Sequence, residues 1–354
     1  MLAPLSGFCR KKEWPRAPGA LECQAGMDKR WNAVSFFSLL AIAIVIPAGA
    51  ARAAETYPVR PLRIIVSTAP GGVTDLCARI LGAHISAKTG QPVVIDNRSG
   101  AGGNIAMEAV AKSAPDGYTL GVANTGNIVI NPYLYRHMPY DPLNDLVPVA
   151  PLGVVPLFLV VNGKVPAHTL HDFIAYAKAE PDKLSYASAG TGTTPHLAAD
   201  AFIRRAGLNI VHVPYRGSTA ATMDVISGNV AMTFVSMGAH MAFVRTGDLR
   251  VLAVAMTKRA PYLPDVPTFA EQGFPDFEAT TWFALFAPRG TPGELVDELN
   301  DFARELAADP AAKQRLESNF VEPTIMTAAQ FADMVKVDAR RWERIVRESG
   351  VKQD

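Results

Sequence analysis

Residues 67–75 read Ser-Thr-Ala-Pro-Gly-Gly-Val-Thr-Asp, and they join a strand pattern to a helix pattern. The preceding residues 62–66, Leu-Arg-Ile-Ile-Val, are rich in β-branched side chains, and from Cys77 onward apolar residues recur at i, i+3, i+4 and i+8. A helix that begins after Pro-Gly-Gly leaves several backbone N–H groups unpaired, and together with the helix dipole they favour an anion. Taken alone, the stretch predicts either an anion-binding loop or a plain strand–helix turn.

Two further strand patterns end in loops that contain glycine or asparagine. One runs into a loop at residues 96–104, and the next ends at Asn124 and Thr125. In an open α/β sheet the loops at the carboxyl ends of the strands crowd together, and ligands bind there. We therefore predict that these loops share a binding site with the first one. The residues that follow, 131–148, are rich in Pro, Tyr and Asp and are interpreted as an irregular connection.

The same pattern restarts in the second half of the chain. Residues 154–161 are a long apolar run that predicts one continuous strand, and residues 184–187 form the next strand pattern. They lead into residues 188–196, Ser-Ala-Gly-Thr-Gly-Thr-Thr-Pro-His, a second loop of the opening type. Thr194 is the predicted N-cap of the next helix and Pro195 its first residue, because these residue types are favoured at those positions.

Alternating strand and helix patterns predict an α/β protein with mostly parallel sheets. Because the pattern occurs twice, we predict two lobes, with extended segments near residues 155–161 and 279–287 carrying the chain across and back. A ligand held between the lobes follows from that layout. The predicted division places residues 54–156 and 280–354 in the first lobe and residues 157–279 in the second.

The first 53 residues have the pattern of a secretory leader. A charged segment at residues 28–30 precedes an apolar core at residues 36–46 and the triplet Ala51-Arg52-Ala53. We therefore predict cleavage near Ala53 and a periplasmic location, with Met27 as the true start of translation. The apolar core is too short for a membrane span.

Charge and cysteine content exclude several classes of protein. Residues 1–53 hold seven of the 34 Lys and Arg residues and three of the 33 Asp and Glu residues, so the remainder carries a formal net charge of −3. The remainder has no basic run, which argues against nucleic acid or an anionic membrane surface as a partner. It keeps only Cys77, so we expect no internal disulfide.

Enzyme signatures are incomplete wherever they begin. Ser188 could act as a nucleophile, but Tyr186 occupies the first glycine position of a Gly-x-Ser-x-Gly motif. Residues 190–192, Gly-Thr-Gly, begin a dinucleotide fingerprint in which Pro195 replaces the last glycine. His168 and His171 lie at helical spacing without a third metal ligand nearby. We therefore predict no catalytic activity, no cofactor and no metal.

A series of ordered motifs carries a family resemblance across nearly the whole mature chain. It includes Pro70-Gly71-Gly72 with Asp75, residues 96–104, residues 115–120, residues 188–197 and residues 213–217. These residues resemble the substrate-binding proteins of tripartite tricarboxylate transporters, the Bug-type periplasmic receptors. The resemblance implies a two-lobed periplasmic binding protein fold of the type II-like, twice-crossed kind. It also implies a small carboxylate ligand and delivery to two integral membrane permease subunits. We expect a monomer.

The resemblance also implies which residues contact the ligand, since in that family backbone amides and small hydroxyls hold the carboxylates. One such loop matches residues 70–75 and another matches residues 188–196. Where an aspartate commonly follows the strand phenylalanine, this chain has Phe234-Val235-Ser236, which disfavours a cationic or amino-acid ligand. The predicted ligand-binding residues are Pro70, Gly71, Gly72, Thr74, Asp75, Asn124, Thr125, Ser188, Gly190, Thr191, Thr193, Thr194, His196, Arg216 and Ser236.

Several of these roles have an alternative reading in the sequence. Asp75 either contacts the ligand or complements the dipole of its helix, and His196 either reaches the ligand or is a structural histidine. Arg216 either supplies one charged contact or pairs with an acid beneath its loop. The function also has an alternative, a ligand-binding partner of a sensor kinase, while a periplasmic hydrolase is disfavoured.

Overall fold

A computed structural model describes residues 57–180 and 183–353, so the predicted leader and its cleavage site lie outside the described residues. The strands of the described part are β1 (Leu62–Val66), β2 (Val93–Asn97), β3 (Thr119–Asn124), β4 (Leu146–Pro156), β5 (Phe158–Asn162), β6 (Ser185–Ser188), β7 (Val211–Pro214), β8 (Met232–Val235), β9 (Leu249–Val254) and β10 (Thr280–Pro288). The α-helices are α1 (Val73–Thr89), α2 (Asn104–Ala111), α3 (Asn131–Leu134), α4 (Leu170–Ala179), α5 (Thr194–Ala206), α6 (Ser218–Ser227), α7 (Met241–Thr246), α8 (Gly293–Ala308), α9 (Pro310–Glu317) and α10 (Ala328–Ser349).

The strands form two sheets of five. The first sheet has the order β2-β1-β3-β10-β4, and the second has the order β7-β6-β8-β5-β9. In each sheet the three strands that lead into binding-loop patterns are parallel, whereas the strands that carry the chain between the sheets are antiparallel to their neighbours. This arrangement confirms the predicted α/β class with two lobes. It also brings the carboxyl ends of β1, β2 and β3 to one edge of the first sheet.

The chain crosses between the sheets twice, at Leu157 and at Ala279, and these two segments hydrogen-bond to each other and to Ala255 at the end of β9. Leu157 donates its amide to Ala279 O at 3.1 Å and accepts from the amide of Ala255 at 2.9 Å. Ala279 in turn donates to Ala255 O at 3.0 Å. Two crossing segments were predicted, and the segment through Ala255 is an additional partner that ties them together.

Helices cover both faces of the first sheet. Successive residues of β1 point to opposite faces, and apolar residues on both faces pack against helices. Ile64 packs in one apolar cluster with Leu81 of α1, and Ile65 packs in another with Met107 of α2. The long helix α10 begins with a capping box between Thr327 and Gln330. Its apolar face is fully buried, and the side chains that form it are Phe331, Val335, Trp342 and Val346.

Two predictions about the path of the chain are wrong. Residues 154–161 are not one strand, because β4 ends at Pro156 and β5 begins at Phe158 on the other sheet. Leu157 between them uses its amide and carbonyl for the crossing bonds rather than for a strand ladder. Residues 131–148 are not irregular throughout, since α3 begins at Asn131 and β4 begins at Leu146.

The N-cap of α5 is Thr193, not Thr194. Thr193 has extended backbone angles, φ −70° and ψ 155°, and its hydroxyl accepts from the amide of His196 at 3.5 Å. Thr194 is the first helical residue and Pro195 the second, which is compatible with proline because amides in the first turn have no helical partner.

Candidate functional site

A cavity of about 620 Å³ lies between the two sheets, among the loops that follow their parallel strands. Hydroxyl, amide, aromatic, aliphatic and glycine residues line it, and no charged side chain is among these described lining residues. From the first-sheet lobe they are Ser67, Thr68, Ala69, Ser99, Gly100, Gly102, Gly103, Asn124, Gly126, Asn127, Asn131, Leu134, Tyr135, Thr281 and Gln353. From the second-sheet lobe they are Ala189, Thr191, Gly192, Thr193, Thr194 and Pro195.

Asn127 organises the wall on the first-sheet side. Its Oδ1 accepts from the Ser67 hydroxyl at 2.6 Å and from the Asn124 amide at 3.0 Å, while its Nδ2 donates to Gly102 O. Three loop segments therefore converge on one buried carboxamide. A Cβ at Gly103 would lie 2.2 Å from Asn127 Nδ2, and Gly103 has φ +92°, so only glycine fits there.

The wall on the second-sheet side is the loop before α5. Its Gly190 amide donates to Ser188 Oγ at 3.2 Å, and its Gly192 amide donates to His196 Nδ1 at 3.0 Å. Within the described chain, the amides and hydroxyls of Thr191 and Thr194 have no hydrogen-bond partner. These four donors line the cavity, so they are the groups of this loop that remain available to a ligand.

Behind this loop lies a buried stack of rings that includes the predicted site residue His196. Its ring is 3.9 Å from that of His212, and the ring of Tyr186 lies 4.8 Å from His212 and 6.2 Å from His196. Burial, reinforced by the neighbouring His212, lowers the pKa of His196 to about 4. The neutral ring can therefore accept the Gly192 amide, and His196 supports the loop without lining the cavity.

Ser188 is also behind the wall rather than on it. Its side chain is fully buried, and its hydroxyl lies 2.7 Å from His212 Nε2, not from His196. Burial lowers the pKa of His212 as well. Ser188 thus fixes the loop through His212 and through the Gly190 amide, and it does not line the cavity.

Residues 70–75, predicted to contact the ligand, lie beside the cavity and do not line it. The carboxylate of Asp75 accepts from the Gly71 amide, from Arg79 Nε and from Asn97 Nδ2, each at 2.9 Å. Burial would raise the pKa of Asp75, but these hydrogen bonds together lower it. Asp75 therefore holds the turn at the start of α1. Pro70, Gly71 and Gly72 are exposed, and Thr74 is buried.

The remaining predicted residues are divided between the wall and its surroundings. Asn124 lines the cavity, whereas Thr125 is buried and its hydroxyl accepts from the Trp282 amide at 2.9 Å. Arg216 is exposed and does not line the cavity, although its loop is tied to the neighbouring one by the bond from Gly217 N to Ala189 O. Ser236 follows β8 and is half-buried outside the cavity wall.

Several lining residues were missed in the sequence. Thr68 follows β1 directly, and its Oγ1 is inaccessible to solvent and has no partner among the described residues. The rule that ligands bind at strand ends could have found it, because it lies in the opening stretch. No local pattern pointed to Asn131, Tyr135, Thr281 or Gln353, which reach the cavity only through the tertiary fold.

The described part of the chain has neither a membrane-spanning helix nor a cluster of metal ligands. No helix in that part is both long and apolar enough to cross a membrane. No group of three or more His, Cys, Asp or Glu side chains in residues 57–180 and 183–353 could hold a metal ion.

Comparison with known proteins identifies relatives of this chain. Residues 77–351 match the family described as the tripartite tricarboxylate transporter family receptor. The chain is 40% identical over 300 residues to the protein BugT of Bordetella pertussis, covering 84% of this chain and 92% of that one.

Solved structures that resemble this chain include two proteins with a dicarboxylate. R. palustris Rpa4515 with adipate is 36% identical at a TM-score of 0.72, covering 84% of this chain and 99% of that one. MatC from Rhodopseudomonas palustris with bound malate is 32% identical at a TM-score of 0.68, covering 82% and 100%. These similarities confirm the predicted resemblance and the two-lobed fold. The chain belongs to the receptor family of the tripartite tricarboxylate transporters, the Bug-type solute-binding proteins.

Proposed function

We propose that this chain binds a small organic dicarboxylate in the cavity between its lobes and delivers it, unaltered, to a membrane transporter. The observation that carries the proposal is the uncharged lining of the cavity, which is rich in hydroxyls and amides. Two relatives add support, since their structures contain adipate and malate. Both compounds carry two carboxylates on a short chain.

Neutral donors can hold such an anion. A hydrogen bond to a charged group contributes roughly 1.5–3 kcal/mol, and a helix N-terminus adds about 0.3–2 kcal/mol. The free amides and hydroxyls of Thr191 and Thr194 lie at the start of α5, so one carboxylate would bind there. The second carboxylate would bind on the opposite wall, near Thr68 and Asn124. Micromolar affinity needs about −8 kcal/mol, which several such bonds can supply.

Delivery without chemical change fits the surroundings of the cavity. The Ser188–His212 hydrogen bond lies behind the loop, with the Ser188 side chain fully buried and His212 half-buried. Asp75, the nearest buried carboxylate described at the first loop, is already held by three hydrogen bonds. Neither group can therefore reach a ligand as a nucleophile or base without a rearrangement of the loops.

We further propose that residues 54–156 with 280–354, and residues 157–279, move as two bodies about the crossing at Leu157 and Ala279. A ligand that contacts both walls binds the closed form better and so favours it.

We also propose that the chain is exported, that it loses its leader near Ala53, and that it acts as a monomer with two permease subunits. The leader pattern and the family support these statements.

A ligand panel tests the proposed ligand class. Ligand-free protein, prepared by unfolding and refolding, is heated with adipate, malate, the neutral diamide adipamide, or a diamine of the same length. A ligand at one hundred times its dissociation constant stabilises the folded form by about 2.7 kcal/mol, so a dicarboxylate should clearly raise the melting temperature. The diamide and the diamine are matched controls for shape and for opposite charge. Stabilisation by the diamine but by no dicarboxylate would contradict the proposal.

A further inference from the structure

Residues 350–353 follow α10 and lie along the start of the segment after α3. Gln353 donates its amide to Leu134 O at 2.9 Å and accepts from the Arg136 amide at 3.0 Å, as in a short parallel strand pair. Lys352 Nζ donates to Tyr133 O at 2.7 Å. This segment is thus fixed to the first-sheet lobe through its backbone, while the side chain of Gln353 lines the cavity.

The Gln353 side chain crosses to the other lobe. Its Nε2 donates to Thr191 O at 2.8 Å, and Thr191 belongs to the loop before α5 on the second-sheet side. Among the described residues that line the cavity, this is the one side-chain hydrogen bond that joins the two walls. The bond therefore exists only while the lobes are close together.

The peptide that Gln353 holds joins Thr191, whose amide and hydroxyl are free, to Gly192. Its carbonyl, Thr191 O, accepts from Gln353, and its N–H, on Gly192, donates to His196 Nδ1. With both ends fixed, the plane of the Thr191–Gly192 peptide is set, and the loop is held on the C-terminal side of Thr191. A Cβ at Gly192 would lie 2.5 Å from Leu134 Cδ2 and 3.1 Å from Gln353 Nε2, so the loop fits against the first lobe without room for a side chain.

We propose that Gln353 is a positioning residue for ligand binding, which joins the lobes across the cavity and so holds the Thr191 loop in its binding conformation. The part of this inference that concerns ligand release rests on the proposed function. The effect of Gln353 on the loop itself does not depend on a ligand. Loss of the bond should speed opening and therefore ligand release, since affinity differences between variants of one site mostly arise in the dissociation rate.

The test uses two substitutions and a matched control in the full chain. Gln353→Ala removes the crossing bond. Gln353→Glu keeps the shape but places a carboxylate against Thr191 O and against an anionic ligand. Gln314→Ala removes a glutamine side chain from the exposed face of α9, away from the cavity. Two quantities are measured: the dissociation rate of adipate and malate by stopped flow, and the hydrogen exchange rate of the Gly192 amide without ligand.

We expect Gln353→Ala to speed dissociation by about 3- to 10-fold, the range of one neutral hydrogen bond, and Gln353→Glu by more than that. Exchange at Gly192 should rise in both, and Gln314→Ala should match the wild type in both measurements. Unchanged dissociation and unchanged exchange in Gln353→Ala would overturn the inference. If the wild type binds neither adipate nor malate, the proposed ligand class fails, and the exchange rates alone then decide the role of Gln353.

Discussion

His196 accepts a hydrogen bond at its Nδ1 from the amide of Gly192, 3.0 Å away across the first turn of α5. This contact holds the loop before α5 in place. It requires a neutral imidazole. A protonated ring would present N–H at both nitrogens and could not accept the bond. The loop before α5 should therefore depend on pH through a residue that lies behind the cavity wall.

Stability should fall as the pH drops from about 6.5 towards 4, the interval between the ordinary pKa of histidine and the pKa of His196 in the fold. In that interval the unfolded chain binds a proton that folded His196 excludes, so acid favours unfolding; above it both forms are neutral. At its steepest, His196 contributes a slope of about 1.4 kcal/mol per pH unit. His212 and His240, whose pKa values burial also lowers, add in the same direction.

His196→Asn isolates this effect, since Asn Oδ1 can accept from the Gly192 amide without titrating. Urea unfolding at pH 7.5, 6 and 5 should show a shallower loss of stability in the variant. Equal pH dependence in the variant and the wild type would mean that His196 is protonated in the fold or contributes nothing to the loop.

Thr194→Val and Thr191→Val remove hydroxyls that line the cavity and have no partner in the described chain. Because valine keeps the shape, each should weaken dicarboxylate binding by about 10- to 100-fold, the range for one hydrogen bond to a charged group. Isothermal titration measures the affinity, and Thr219→Val on the exposed surface of α6 is the control. Full-strength binding by both cavity variants would place the carboxylate elsewhere.

Gly103→Ala and Gly72→Ala form a contrasting pair. A Cβ at Gly103 meets Asn127 Nδ2 and a left-handed backbone, whereas a Cβ at Gly72 meets nothing closer than 3.8 Å. We expect Gly103→Ala to lower the free energy of unfolding by about 1–3 kcal/mol, with Gly72→Ala close to the wild type. Denaturant titration compares them. An unchanged free energy of unfolding in Gly103→Ala would show that the Asn127 network is not rigid.

Arg216→Gln should change dicarboxylate affinity by less than about threefold, because the side chain is exposed and does not line the cavity. Binding measured at two salt concentrations would detect a long-range contribution of this charge. A loss of tenfold or more would indicate that Arg216 closes over the bound ligand and would restore its predicted role as a ligand contact.

The parts of the fold that follow local periodicity were predictable from the sequence. Strand β1 and helix α1 were placed correctly, because a β-branched run and helical spacing are visible within a few residues, and the cap of α5 was placed within one residue. The division at Leu157 was not, since an apolar run looks the same whether it stays in one sheet or passes to another. The hydrogen bonds that Leu157 donates to Ala279 and accepts from Ala255 distinguish the two cases.

The site was predictable to the level of loops but not of side chains. Thr191, Thr193 and Thr194, predicted as ligand contacts from the loop that the resemblance matched, line the cavity, while Ser188 and His196 of the same stretch lie behind it. A sequence gives no sign of which side of a loop faces the ligand. Gln353 lies 162 residues from Thr191, and no local rule could connect them.

The most direct test of the amide-and-hydroxyl account is an amide proton spectrum of the ligand-free protein titrated with adipate and malate. The account predicts that the Thr191 and Thr194 amide protons shift downfield as they donate to a carboxylate, whereas the Gly192 amide, already bonded to His196, shifts much less. Saturable binding that leaves the Thr191 and Thr194 amides unshifted would contradict it.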